Sequence, residues 1–330
     1  MYMRLIGLMQ NCWLERAFLA LTVISLTACS DDDPAAGISD DEIHFQADVW
    51  QVMEGTRATT YDDITAMQAS TEKFACYAFV DGSTNLYIDG LVSTVSWNSV
   101  ESKWLFDDGK HYWPASESLN FFTFMPYDMA KTYCSFDPTA YAAGTNDDGY
   151  SEDCPRIVCT ALPVTITAGS DDTKELVYAY QPAQSKAEQG ASGVTMTFKH
   201  PFARVKFLLS TASGSNVVVD RVTIAGVKNY GTATFNGTTT TWTPSGDATN
   251  LVVTGTPATS DAPYLVLPQS FDTSLTFTVK ATWNDWSTVT KDVSASVAVG
   301  SWQPGYSYTY TFTLSKYALK VDTEKFTEQW

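Results

Sequence analysis

Three histidines lie far apart in the chain, at His44, His111 and His200, and none has another histidine two or four positions away. The HxH and HxxxH spacings that place two imidazoles on one metal are therefore missing. So are a P-loop, a GxGxxG turn and a GxSxG nucleophile elbow. There are 37 Asp and Glu residues, but no two stand at a spacing that fixes an acid against a base. Glycoside hydrolysis with carboxylates from distant strands is the one enzymatic chemistry left open by spacing alone. The loop "NDDGYSED", residues 146–153, offers oxygen ligands of the kind calcium takes. It departs from the D-x-[DN]-x-[DN]-G order, so a solvated acidic loop is expected there. The residues thus point away from catalysis, and no cofactor or metal is expected.

Six cysteines occur. Cys12 and Cys29 belong to the N-terminal region. Cys76, Cys134, Cys154 and Cys159 remain, and an oxidising compartment permits one or two disulfides among them, with three pairings if two form. No CxxC pair is present, which argues against a four-thiolate zinc site.

Arg57 is the other residue that stands out. It sits in "GTRATTYDD", residues 55–63, as the first basic residue after Cys29, and the intervening stretch carries eight acidic residues. A surface charge or an ion pair would account for it. An arginine among small residues, which fit a protease cleft in extended form, also makes the Arg57–Ala58 bond a place to be cut.

The chain has 330 residues, a net charge of −17, 44% hydrophobic and 17% charged residues. That length allows one large domain or two ordinary ones. The negative charge opposes nucleic-acid binding, which needs basic patches. At the start, Arg16 precedes an apolar run from Ala17 to Ala28, too short for a bilayer and suited to a signal-peptide core. Leu26-Thr27-Ala28-Cys29 resembles the lipobox of bacterial lipoproteins, which implies cleavage before Cys29 and acylation (palmitate) of that cysteine. The following Ser-Asp-Asp-Asp resembles the surface-export signal of lipoproteins in some Gram-negative anaerobes.

Alternation of apolar and polar residues dominates the rest, so an all-β fold is expected. "YSYTYTFTL" places Tyr306, Tyr308, Tyr310, Phe312 and Leu314 on one face. "LTFTVKATW" does the same with Leu275, Phe277, Val279, Ala281 and Trp283, and "VTMTF" with Val194, Met196 and Phe198. Asp107-Asp108-Gly109 reads as a hairpin turn. Lys131 to Pro155 reads as a long surface loop, and the polar stretch Gln181 to Gly193 as a linker between two strand-rich blocks. Two β-sandwiches follow as the expected architecture. The ten tryptophans are expected mainly in the cores, with stacking on sugars as the alternative use of their faces.

Several blocks together resemble one family. They are "IHFQADVW…GTRATT", "LNFFTFMPYD", "KELVYAYQPA", "GVTMTFKHPFARVKFLL" with Phe198, His200 and Ala203, "RVTIAGVKNYGTATF", "YLVLPQ" and "WQPGYSYTYTFTL". Their order over residues 43–330 is similar to that of the fimbrillins, the lipoprotein pilins of type V pili. The resemblance implies two transthyretin-like β-sandwich domains in tandem, export as a lipoprotein to the outer membrane and cell surface, and removal of the first strand by an arginine-specific protease. Strand exchange with other pilin subunits would then build the fimbrium and serve adhesion.

On this reading residues 1–28 are the signal peptide and 29–57 the propeptide. Residues 58–185 form the first sandwich and 186–330 the second, whose tail 315–330 is a donor strand. The displaced strand would present Ile43, Phe45, Ala47 and Val49. The donor would use Tyr317, Leu319 and Val321 on one face and Phe326 and Trp330 on the other, with a bend between Asp322 and Lys325 where the phase changes. His200 is expected to be a structural hydrogen-bonding residue. The rival class is a non-polymerising surface lipoprotein that binds a glycan or host ligand.

Overall fold

A computed structural model describes residues 41–49, 64–83, 86–137, 156–163, 175–211, 216–237, 239–254, 264–272, 274–284, 287–298, 300–315 and 318–329. In chain order the elements are β1 (Phe45–Val49), α1 (Ile64–Ala69), β2 (Phe74–Val80), β3 (Leu86–Ile88), β4 (Thr94–Asn98), β5 (Lys103–Phe106), β6 (Leu119–Met125), α2 (Tyr127–Tyr133), β7 (Cys134–Asp137) and β8 (Arg156–Pro163). Then come β9 (Val177–Gln184), α3 (Lys186–Gln189), β10 (Val194–Phe198), β11 (Ala203–Thr211), β12 (Val217–Val227), β13 (Tyr230–Asn236), β14 (Thr239–Ser245) and β15 (Thr249–Thr254). The chain ends with β16 (Tyr264–Val266), β17 (Gln269–Ser270), β18 (Leu275–Asn284), β19 (Thr288–Val297), β20 (Ser301–Trp302), β21 (Tyr306–Leu314) and β22 (Leu319–Gln329).

The largest sheet runs β10-β1-β5-β4-β2-β6-β9, with β3 on β2. Its two ends meet: Tyr178 of β9 bridges Lys199, one residue beyond β10, so the sheet is nearly a closed barrel. Its interior holds Phe45, Phe74, Val95, Trp104, Phe121, Met196 and Phe198. A second sheet, β14-β13-β8-β7, covers the outer face. Ala75, Tyr77, Phe79, Phe122 and Phe124 face this second layer together with Ile157 and Phe235. β2 and β6 are thus buried on both faces, which is why "FACYAFV" and "LNFFTFM" are continuous apolar runs rather than alternating ones.

The last third is a sandwich of two four-stranded sheets, β16-β11-β21-β22 and β15-β12-β18-β19. Here each inner face is apolar, and the outer faces are mainly polar, with Leu208, Val218 and Val252 the apolar side chains left exposed on β11, β12 and β15. Leu275, Phe277, Val279, Ala281 and Trp283 point inward with Phe207, Tyr310 and Phe312. Thr276, Thr278 and Thr282 point outward and hydrogen-bond Ser296, Ser294 and Thr290 of β19. The alternation read from the sequence is the direct consequence of one wet and one dry face.

Sheet membership crosses residue 185. β10 pairs in parallel with β1, and β13 pairs with β8. Three local expectations are corrected. Asp107-Asp108-Gly109 is not the hairpin turn, because β4 and β5 turn at 99–102, where Asn98 Oδ1 accepts the N–H groups of Val100 and Glu101. Asp107 instead accepts hydrogen bonds from Thr94, Ser96 and Lys73. The expected loop from Lys131 begins with the end of α2 and with β7, held by pairing to β8. The linker expected from Gln181 holds the end of β9 and the short α3.

Candidate functional site

The N-terminal strand has the most elaborate seat in the molecule. β1 pairs with β10 along its whole length, from Phe45 opposite Val194 to Val49 opposite Phe198, and with β5 at Phe45 opposite Trp104. Ile43, His44 and Phe45 are buried, Ala47 is half-buried and packs on the same core, and Gln46 and Asp48 are exposed. The Phe45 ring lies edge-on to Phe74, Phe106 and Phe121 at 5.7, 5.5 and 5.5 Å. Just before the strand, the Ile43 N–H donates to His111 O at 2.7 Å and the Trp113 N–H donates to Asp41 O at 2.9 Å. Lys110 pairs with Glu42 at 2.7 Å and Lys186 pairs with Asp41. On the β10 side the Val194 N–H donates to His44 O at 2.9 Å and Gln46 Nε2 donates to Ser192 O at 2.9 Å.

Gly193 makes this approach possible. Its φ is +81°, and a Cβ there would lie 2.5 Å from the His44 ring. His44 Nδ1 lies 3.2 Å from Glu42 O, while Nε2 is buried without a partner. Burial, partly offset by that backbone contact, pushes the imidazole pKa below its ordinary value.

The other histidines also serve structure. His200 Nδ1 is 2.9 Å from Glu175 Oε2, both side chains being buried, as expected for a hydrogen-bonding residue. His111 meets Ser93 and Asp108, the three residue types of a hydrolytic triad. The geometry does not relay a proton: Asp108 Oδ1 contacts the same Nε2, at 3.0 Å, that faces Ser93 Oγ at 3.5 Å. Ser93 Oγ already donates to Asp108 Oδ2 at 2.8 Å, whereas a triad needs the aspartate on the far ring nitrogen. Burial raises the Asp108 carboxyl, and the Ser93 and His111 hydrogen bonds outweigh it and hold its pKa below the ordinary value. The cluster braces the segment that anchors Ile43. Among the described residues no group of three or more His, Cys, Asp or Glu side chains gathers to hold a metal.

At the other terminus β22 pairs antiparallel with β21, from Leu314 opposite Leu319 to Ser307 opposite Phe326. Leu319 is buried and Val321 half-buried against the sandwich core, while Lys320 and Asp322 form an exposed ion pair at 2.8 Å. The ladder is unbroken through Asp322 to Lys325. The irregularity falls after Phe326, where Tyr306 faces Gln329, because continuous pairing to β21 holds the register that the side-chain pattern alone suggested would slip. Tyr317 and Trp330 lie outside the described residues, as do Cys29, Arg57, Ala58, Cys154 and the acidic loop 146–153. Cys134 and Cys159 form a disulfide between paired positions of β7 and β8, and Cys76 is a buried thiol whose pKa is raised by burial.

What sequence reasoning missed is the clasp around β1. Gly193 and His111 carry no motif, and only the fold brings them to residues 43 and 44.

The chain belongs to the fimbrillin-like family, whose profile matches residues 56–330. Members of this family are structural proteins of fimbriae rather than enzymes. The fold is similar to that of a fimbrial protein from Bacteroides vulgatus, with 14% identity, a TM-score of 0.57, and coverage of 87% of this chain and 99% of that one. It is also similar to a protein from Bacteroides uniformis designated for cell adhesion, with 17% identity, a TM-score of 0.53, and coverage of 86% and 98%. No curated protein matches the sequence.

Proposed function

We propose that this chain is a structural subunit of a cell-surface pilus that assembles by exchange of strands. Exported as a lipoprotein acylated at Cys29, it reaches the outer membrane. An arginine-specific protease then cuts between Arg57 and Ala58, and residues 29–57 leave with their lipid. The observation that carries this reading is the seat of β1. It lies between β10 and β5, and its loss would open a slot lined by Phe74, Trp104, Phe121 and Phe198, with an unpaired β10 edge. A slot of that kind is refilled by a strand from another subunit. The C-terminal tail 315–330 is the donor this chain would offer to a neighbour. Leu319 and Val321 repeat the two-residue spacing of Ile43 and Phe45, and among the described residues β22 is bonded on one side only. The family profile begins at residue 56, beside Arg57, which supports a maturation boundary there. Two tandem transthyretin-like sandwiches are the arrangement that goes with this scheme, and adhesion is the work of the assembled fibre.

The test is brief treatment of the full chain with an arginine-specific protease, followed by N-terminal sequencing and size-exclusion chromatography. A new N-terminus at Ala58 and larger assemblies are expected. A chain that resists at Arg57 and stays monomeric overturns the proposal in favour of a non-polymerising surface lipoprotein that binds a glycan or host ligand.

A further inference from the structure

A cleft of about 810 Å³ opens where the β14-β13-β8-β7 sheet meets the C-terminal sandwich. One wall is the edge strand β14. The other is the small β17-β20 pair and the residues leading into β18, and the turn after β12 closes the end. Its size is that of a small-molecule site.

Two rings in the walls are partly exposed and rigidly held. Trp242 on β14 donates its Nε1–H to Pro201 O at 2.7 Å and packs on Phe202 at 5.1 Å. Phe271, opposite, stands edge-on to Trp302 at 4.9 Å, and Trp302 is fixed by donating to the Tyr310 hydroxyl at 2.7 Å. The indole N–H groups are thus occupied by the scaffold, and what these rings offer the cleft is apolar surface. Gln269 is likewise spent on the wall, bonding both the N–H and the C=O of Lys228.

The remaining polar side chains are not spent. Thr240 Oγ1 is shielded from solvent and has no hydrogen-bond partner. Ser270, Asp272, Ser274 and Lys228 line the cleft, and their side chains make no hydrogen bond or ion pair within the described residues. The charged groups are one of each sign, so the cleft is close to neutral in a chain of net charge −17. Apolar ring surface flanked by unspent hydroxyl, carboxylate and ammonium groups, with no net charge, matches the chemistry of a sugar: apolar C–H faces edged by hydroxyls that both donate and accept.

We propose that this cleft binds a short, uncharged oligosaccharide. Phe271 and Trp242 supply surface for the C–H faces, and Asp272 and Ser270, both exposed in the lining, take the hydroxyls. The site is complete in a single chain, so the proposal stands independently of strand exchange.

The experiment is saturation-transfer NMR, with titration of any binder, on the full chain against lactose, maltotriose, diacetylchitobiose and sialyllactose. At least one neutral sugar is expected to bind. Asp272→Ala should weaken it at least fivefold and Ser274→Trp, which fills the cleft from an exposed position, should abolish it. The thermal transitions of both variants should match that of the unsubstituted chain. Binding of none of the neutral sugars, binding of sialyllactose alone, or binding that survives Ser274→Trp in a folded variant would each overturn the proposal. A chain that binds sugar but fails to polymerise after Arg57 cleavage would leave this site intact and remove only the pilus-assembly reading.

Discussion

β1 has neighbours on both sides, β10 and β5; its Phe45 and the preceding Ile43 lie in the barrel core, and His44 is buried against Gly193. Among the described residues β22 has β21 on one side only, and of its described side chains Leu319 alone is buried and Val321 half-buried. The difference lies in how each strand is held. β1 is retained by side chains whose removal leaves cavities, so it is hard to lose while the chain before and after it is intact. β22 is retained mostly by one backbone ladder, whose bonds exchange readily with water or with another strand at modest net cost. A strand that is deeply seated and a strand that is lightly seated are the two parts an exchange of strands requires.

That contrast can be broken at β1 first. Phe45→Ala should cost about 3–5 kcal/mol, because three surrounding rings lose their partner at once. Thermal denaturation should show a larger fall than any single substitution in β7, β8 or β22 produces, and hydrogen exchange should locate the opening at β1 and β10. Cys134→Ser removes a cross-link closing a loop of moderate length and should cost about 2–4 kcal/mol. That loss belongs to β7 and β8, so amides of β1 should exchange no faster than the global unfolding rate allows. Gly193→Ala should cost about 1–3 kcal/mol from its left-handed backbone and the close His44 ring. The check is whether amides in β1 lose protection while those in β21 do not. Leu319→Ala should cost about 2 kcal/mol and free β22 without loosening β1. If instead β1 exchanges faster in that variant, the two seats are coupled and the comparison fails.

Acid gives the smallest and most local effect. The folded state holds the His44 pKa below its ordinary value, so the neutral imidazole is the form the fold favours. The stability this contributes is present above the ordinary histidine pKa and is lost as pH falls through the depressed folded value. β1 amides should therefore lose protection between about pH 6.5 and the lower folded value, and His44→Asn should flatten that dependence. Asp107 works in the same direction lower on the scale. Burial raises its carboxyl, but hydrogen bonds from Ser96, Thr94 and Lys73 hold it below the ordinary value.

The strands most legible in the sequence are those with one dry and one wet face. β18, β21 and β10 alternate cleanly, and Trp283 falls in the core as its neighbours imply. The fold of β13 and β14 was less legible, because "YGTATFN" and "TTTWTPS" contain few apolar residues and the pairing of β13 to β8 is set by tertiary contact. Two turns of α2 fall below the length at which periodicity speaks. The seat of β1 was legible in its own residues and illegible in its surroundings. Nothing in "IHFQADV" states that it runs parallel to β10 or that a glycine must stand opposite His44. The cleft draws its walls from β14, β17, β20 and the turns around them, so no single stretch carried its signature.

The parallel pairing of β1 with β10 also fixes an order of events. The strand made first can take its place only after Val194–Phe198 has emerged, because its partner lies most of a domain further along. The β21-β22 hairpin, by contrast, closes across a few residues. Contacts between distant parts of a chain form slowly. A chain threading out of a membrane pore with its N-terminus leading would therefore wait with an unfilled barrel, and β1 is expected to be the last strand of that barrel to take its place.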